Sequence, residues 1–404
     1  MTELLNLNGL LGETKGYLDA LKVPEADANS LTRARELIRD TLRAAFRNPE
    51  SHISKHEIFE IGAPIDPTTE ILRAPKFRLQ GSFKYGTAND CQINPPQEID
   101  QDDGVFLPVS FFQGPKGDQP LIASKAYFTL VERALRPLAD RQGWIVDDSK
   151  NTCVRVKLSR RLHLDLPLYV VPNTAYASLA KNDAKRRLIN EEAFRHEVEL
   201  TDGVYNALAQ DTILLAHRIK GWDRSDPRTL EKWFANAVGL HGSILRRLSR
   251  GYKGMRDAHG MDNDLGSIAI MVGAVEAFSR VGKPPRDRED IAFRDVAREL
   301  SRVFGSPVYN PAFPNDDTKR LCVDWSAETR KQICALFKNT ADSLDVATTG
   351  TNDKRTALRR VRDAFGERVP DDPSLIKAVG EADRIRSQQA KPQPAPLVPR
   401  YKSG

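Results

Sequence analysis

Cysteine is scarce: four residues in a chain of 404, at 91, 153, 322 and 334, none in a CxxC spacing. That pattern excludes a zinc-ribbon framework and a disulfide-stapled scaffold, and predicts reduced, mostly buried thiols. No stretch approaches the roughly 20 apolar residues that a membrane helix needs. The opening segment MTELLNLNGLLGETKGYLDA has neither a basic n-region nor a small-residue cleavage site, so a cytoplasmic protein with no membrane partner is expected. No internal repeat is visible, and neither charge sign is segregated. The net charge of +6 is spread through interspersed acids and bases, which permits an anionic partner and demands none. What is present is an ordinary globular composition, 40% hydrophobic and 29% charged. That is enough apolar material for two or three domains.

Periodicity divides the chain into an α+β part and a helical part. NSLTRARELIRDTLRAAF puts Leu31, Ala34, Leu37, Ile38, Leu42 and Ala45 on one helical face, with Ser30 placed to cap it. A strand, GVFLPVSFF, and an amphipathic helix, KAYFTLVERALRPLADRQG, follow. CVRVKL and LHLDLPLYVV then alternate with period two and read as neighbouring strands. Farther on, residues 225–260 carry Asp226 as N-cap, Pro227 at the first helical position and Gly260 as terminator. GSIAIMVGAVEAF reads as a buried helix, and more helices are expected over 286–304, 326–340, 352–366 and 373–388. The expected domains are 1–220, 221–388 helical, and a Pro-rich disordered tail over 389–404.

The stretch GSFKYGTANDCQINPPQEIDQDDG places three aspartates within four residues, just after a Gly-Ser turn. Adjacent carboxylates resist burial unless a cation is present. In EIDQDDGVFLP, Asp100 and Asp102 are two apart and share a strand face, whereas Asp103 points away and is expected to begin a turn at Gly104. In LHLDLPLY, Leu162, Leu164, Leu166 and Leu168 face the core, leaving Asp165 with His163 and Tyr169 on the other face. Arg155 and Lys157 of the preceding strand point to the Asp165 side. Three carboxylates on polar strand faces are what a two-metal phosphoryl-transfer site requires. Gly81 and Ser82 add a turn whose backbone and hydroxyl can cradle triphosphate oxygens. Either half alone is a common surface feature; together they point to a nucleotidyltransferase.

LQGSFKYGT, QEIDQDDGVFLP, TCVRVKL, HLDLPLYVVP, SDPRTLEKWF and YKGMRDAHG resemble, in order and spacing, the bacterial cGAS/DncV-like nucleotidyltransferases (the CD-NTases of CBASS antiphage systems), and among them the DncV-type cyclic GMP-AMP synthases. The resemblance implies a polymerase-β-like core with a mixed sheet, packed on a C-terminal helical domain with the active site in the cleft between them. It implies synthesis of a cyclic nucleotide, 3′,3′-cyclic GMP-AMP, from ATP and GTP, with two Mg²⁺ ions, for which Mn²⁺ substitutes, and a downstream effector that the product activates. Carried over by motif, Asp100 and Asp102 bind both metals and Asp165 the one that activates the attacking hydroxyl. Gln80, Gly81 and Ser82 hold the donor triphosphate, Tyr85 stacks on a base and Arg155 contacts the acceptor. Lys253 and Ser267 reach the triphosphate, and Ser225 and Asp226 lie near the bases.

Plainer readings stand beside these. Asp226 and Ser267 serve equally as helix caps, Arg246, Arg247, Arg250, Lys253 and Arg256 as a solvated basic face, Tyr85 as loop packing and His163 as a structural residue. The Pro-rich arm ends in RYKSG, a shape suited to a ubiquitin-like E1–E2 fusion enzyme that would conjugate Gly404. Two other functions compete: an RNA-tailing nucleotidyltransferase, disfavoured by the short basic stretch, and a non-catalytic nucleotide or RNA sensor, disfavoured by the complete aspartate trio.

Overall fold

The computed structural model describes residues 3–53, 75–90, 97–108, 120–172, 213–314 and 316–380. It divides into two compact units. One comprises residues 1–20, 273–306 and 325–404; the other comprises residues 21–272 and 307–324.

In the first unit, the helices Glu289–Val303, Ala327–Asp345 and Lys354–Phe365 carry a buried apolar set that includes Phe293, Leu300, Phe337, Val361 and Phe365. Strand β1 (Leu5–Asn6) pairs antiparallel with β9 (Lys377–Ala378). The helix expected over 373–388 is therefore replaced, within the described residues, by a short 3₁₀ turn at Pro373–Leu375 and this strand. Pairing with a segment more than 370 residues away outweighs local helical periodicity.

The second unit is built on a mixed sheet of β2 (Lys76–Gln80), β3 (Ile99–Pro108), β4 (Ile145–Asp147), β5 (Cys153–Lys157), β6 (Leu162–Val171), β7 (Leu214–His217) and β8 (Gly221–Arg224). The order is β2-β3-β6-β5-β4, and the β7–β8 hairpin joins β6 at its far end. β3 and β6 run parallel at the centre and every other pairing is antiparallel. Helices Glu25–Arg47 and Pro120–Gln142 cover one face. Ile38, Leu42, Tyr127, Val131 and Leu135 pack there on Val105, Val154, Leu164, Leu166 and Leu168. The leucine face read from alternation is thus the core face, and the opposite face is left for polar residues.

Several local expectations change. The first long helix begins at Glu25, not after Ser30; Pro24 occupies its N-cap position, and Glu25 and Asp27 stand in its first turn, where acids suit the helix dipole. Ser30 lies inside it and its hydroxyl donates to the Ala26 carbonyl at 2.8 Å. Residues 225–260 form two helices, Pro227–His241 and Ile244–Ala258, because Gly242 takes φ +95° and ends the first. Asp226 does cap, accepting from the Arg228 amide. Gly104 begins no turn: β3 runs unbroken through it. Asp103 is fully buried on the core face, where Arg39 donates to both its oxygens at 2.8 and 2.6 Å. Cys153, Cys322 and Cys334 are not in disulfides, Cys153 being buried and the others half-buried; Cys91 and the tail over 389–404 lie outside the described residues. No helix among the described residues is long and apolar enough to cross a membrane.

Candidate active site

The three aspartates meet at the centre of the sheet because β3 and β6 pair in parallel register, Asp100 opposite His163 and Asp102 opposite Asp165. All four side chains occupy the face away from the covering helices. Oxygens of Asp100 and Asp165 and a ring nitrogen of His163 lie within 4.8 Å of one another. The converging set therefore includes His163, which the sequence reading treated as structural. Its Nε2 is 3.1 Å from Asp100 and its Nδ1 2.7 Å from Glu98, although neither nitrogen is aligned for a good hydrogen bond.

Asp102 sits just beyond that convergence, against the turn Gly81–Tyr85. Burial, reinforced by Asp100 and Asp165, holds its carboxyl well above the usual carboxylate range. Gly81 takes φ +63°, and a Cβ there would lie 1.9 Å from Asp102 Oδ2. The glycine is thus required twice, for its backbone conformation and for its approach to the carboxylate. Gly86, at φ +70°, closes the same turn.

Beside these residues lies a cavity of about 690 Å³, within the range of small-molecule sites. Gly81, Ser82, Tyr85, Asp100, Asp102, Arg155, Lys253 and Ser267 all border it. The Tyr85 ring lies edge-on to Phe234, 6.2 Å between centroids, and burial followed by the Asp102 charge raises its hydroxyl pKa. Lys253 donates to the Thr87 carbonyl at 2.9 Å. Burial, aided by Arg256 and Arg250, brings its ammonium down to about 8. Ser267, the first residue of helix Ser267–Val281, accepts from Arg256 at 3.1 Å.

Three predicted residues are placed elsewhere. Gln80 is buried behind the turn; it accepts from the Tyr169 hydroxyl at 3.2 Å, and its amide nitrogen closes over Gly104. Ser225 and Asp226 are not among the lining residues, and Asp226 is engaged with Arg228. The helix Ile244–Ala258 is no solvated basic face: Arg250, Lys253 and Arg256 are all buried. Thr87, Asn89, Asp257, Asp262, Ile268 and Met271 are among the other lining residues. All but Asp262 lie inside stretches quoted above, yet none was singled out there for a role. Gly404 lies outside the described residues.

The donor set is carboxylate-rich, which suits a hard divalent cation such as Mg²⁺ or Mn²⁺. A half-buried acidic cluster whose Asp102 resists ionisation fits a centre that such cations neutralise. At present the guanidinium of Arg155 supplies the compensating charge, donating to both oxygens of Asp165 at 2.7 Å. Paired carboxylates on adjacent parallel strands, a glycine turn pressed against them and a buried lysine across the cavity define a nucleotidyltransferase.

Comparison with known proteins places it more narrowly. The sequence profile described as "Cyclic GMP-AMP synthase DncV-like, nucleotidyltransferase domain" matches residues 75–169, and "Cyclic GMP-AMP synthase, C-terminal domain" matches 242–378. A cyclic GMP-AMP synthase of Escherichia coli (strain TW11681) is 25% identical over 430 residues, 96% of this chain and 97% of that one. Another, of Vibrio cholerae serotype O1, is 26% identical, covering 94% of each. The crystal structure of Vibrio cholerae DncV with the linear intermediate 5′ pppA(3′,5′)pG superposes with a TM-score of 0.71 at 22% identity, over 94% of this chain and all of that one. The chain belongs to the DncV-like cyclic GMP-AMP synthase family of nucleotidyltransferases.

Proposed function

We propose that this enzyme joins ATP and GTP in two successive nucleotidyl transfers and releases 3′,3′-cyclic GMP-AMP. The observation that carries the reading is the parallel register of Asp100–His163 and Asp102–Asp165 with Gly81 seated on Asp102. The relatives named as cyclic GMP-AMP synthases, and the neighbour holding a linear pppApG, support the choice of substrates.

Gly81 and Ser82 receive the donor triphosphate, and the Lys253 ammonium neutralises it from across the cavity. Tyr85 and Met271 offer apolar surface to a base. Arg155 binds the acceptor nucleotide. Asp100, Asp102 and Asp165 would hold two Mg²⁺ ions, which when bound supply Lewis-acid activation of the attacking hydroxyl and charge stabilisation of the leaving group. In each transfer a ribose 3′-oxygen forms a bond to the α-phosphorus and loses its proton, while the bond from that phosphorus to the bridging oxygen breaks and pyrophosphate leaves. The linear product then turns end for end and the second transfer closes the ring. We further assign the product to an antiphage effector, and Gly404 to conjugation by an E1–E2-like partner. Mass spectrometry of the C-terminus from an intact operon tests that last assignment, and free Gly404 alone would remove it.

The test of the main reading incubates purified protein with labelled ATP and GTP, separately and together, in Mg²⁺, and treats the products with phosphatase. A resistant species that requires both nucleotides is expected. Label moved only onto added RNA would replace the reading with a tailing activity.

A further inference from the structure

Arg155 and Asp165 stand opposite each other in the antiparallel pairing of β5 and β6. The guanidinium donates through Nε to one carboxylate oxygen and through Nη2 to the other, both at 2.7 Å. A bidentate pair of this kind uses the two oxygens that a cation would need. A second observation concerns access. Arg155 lines the cavity, whereas Asp165 is buried and is not among its lining residues. Asp100 behaves differently, since it borders the cavity with its side chain 44% exposed. The guanidinium thus stands between the open space and one of the three carboxylates only. Asp165 is nevertheless correctly placed, its oxygen within 4.8 Å of ligand atoms on Asp100 and His163.

Resting on the nucleotidyltransferase reading above, we propose that Arg155 is a latch on Asp165. The carboxylate is withheld from the metal centre until an anionic group of the acceptor nucleotide draws the guanidinium away. A guanidinium fork matches phosphate as well as it matches carboxylate, so a phosphate of the acceptor nucleotide, brought to Arg155 itself, competes directly for the donors that hold Asp165. The exchange balances charge, because the phosphate takes the arginine and the cation takes the freed carboxylate. It also gives an order. Asp100 and Asp102 are open to a cation before the acceptor arrives, and Asp165 joins them only afterwards, so a lone donor triphosphate is not exposed to a complete centre that could hydrolyse it. Arg155 is in this respect a positioning residue, acting through Asp165.

Binding of Mn²⁺ to the full-length protein without nucleotide, followed by electron paramagnetic resonance, reads the latch without any turnover. Arg155→Gln should bind Mn²⁺ about tenfold to a hundredfold more tightly than the wild type, the range expected for losing a charge-assisted pair that competes with the ion. The gain should vanish in Arg155→Gln with Asp165→Asn. Arg155→Lys keeps the charge but cannot occupy both oxygens, and should fall between wild type and the glutamine variant. It also carries the test if circular dichroism finds the glutamine variant unfolded. Equal Mn²⁺ affinity in wild type and both arginine variants would overturn the latch while leaving the metal site standing. A gain that survives Asp165→Asn, or one absent from the lysine variant, would reduce the effect to general electrostatics and equally overturn it. No Mn²⁺ binding by any of them would overturn the metal-site reading itself.

Discussion

Among the residues around the site, Gly81 has the least freedom to change. Its φ of +63° lies in the left-handed region, where a side chain costs about 1–2 kcal/mol. The position a Cβ would take is 1.9 Å from Asp102 Oδ2. Relief requires moving either the turn proposed to receive the triphosphate or the carboxylate. Gly81→Ala should therefore lower stability by about 1–2 kcal/mol while cutting kcat by about a hundredfold, since displacements near 1 Å at a reacting centre have effects of that size. Thermal unfolding and steady-state kinetics measure the two together. Full activity with a small loss of stability would show that the approach of Gly81 to Asp102 does not matter. Individual residues were unevenly legible in the sequence. The opposed faces of Asp102 and Asp103 followed from the period of two. The capture of Asp165 by Arg155 did not, because alternation gives the face of a side chain and not the register that decides its partner.

At the scale of elements, the three clustered aspartates are accommodated by two different devices. Asp100 and Asp102 face a cavity and Asp103 faces the helix Glu25–Arg47, whose Arg39 meets it. Arg39 also lies over the Phe77 ring of β2, 5.5 Å from its centroid. With both partners at 0% exposure, Arg39→Met should destabilise the fold by about 3–5 kcal/mol, because an unpaired carboxylate would be left in the core. Adding Asp103→Leu should recover most of that loss. Chemical denaturation distinguishes the cases, and a cost under about 1 kcal/mol would show that water reaches Asp103. The sequence disclosed β3, β5, β6 and most helices through hydrophobic period. It concealed the C-terminal segment that reads as helix but is recruited by β1, which depends on tertiary pairing; the helix start after Pro24 and the break at Gly242 have local causes that hydrophobic period does not register.

At the scale of the molecule, the parallel β3–β6 pair at the sheet centre explains why residues 65 apart along the chain, Asp100 and Asp165, share one cluster. Lys253 and Ser267, farther still in sequence, border the same cavity. Among the described residues, part of the basic excess is internal, in Arg39, Arg250, Lys253 and Arg256. Lys253 and Arg256 line the cavity, where buried cations suit a small anionic substrate. The family assignment establishes the nucleotidyltransferase class, and the proposal that the aspartate cluster performs the transfer is tested most directly by removing that cluster's charge at constant shape. Wild type and the double variant Asp100→Asn, Asp102→Asn are compared for phosphatase-resistant product from ATP and GTP in Mg²⁺, with circular dichroism on both. A folded variant that forms no product is expected. Product from the variant at a rate near that of the wild type would contradict it.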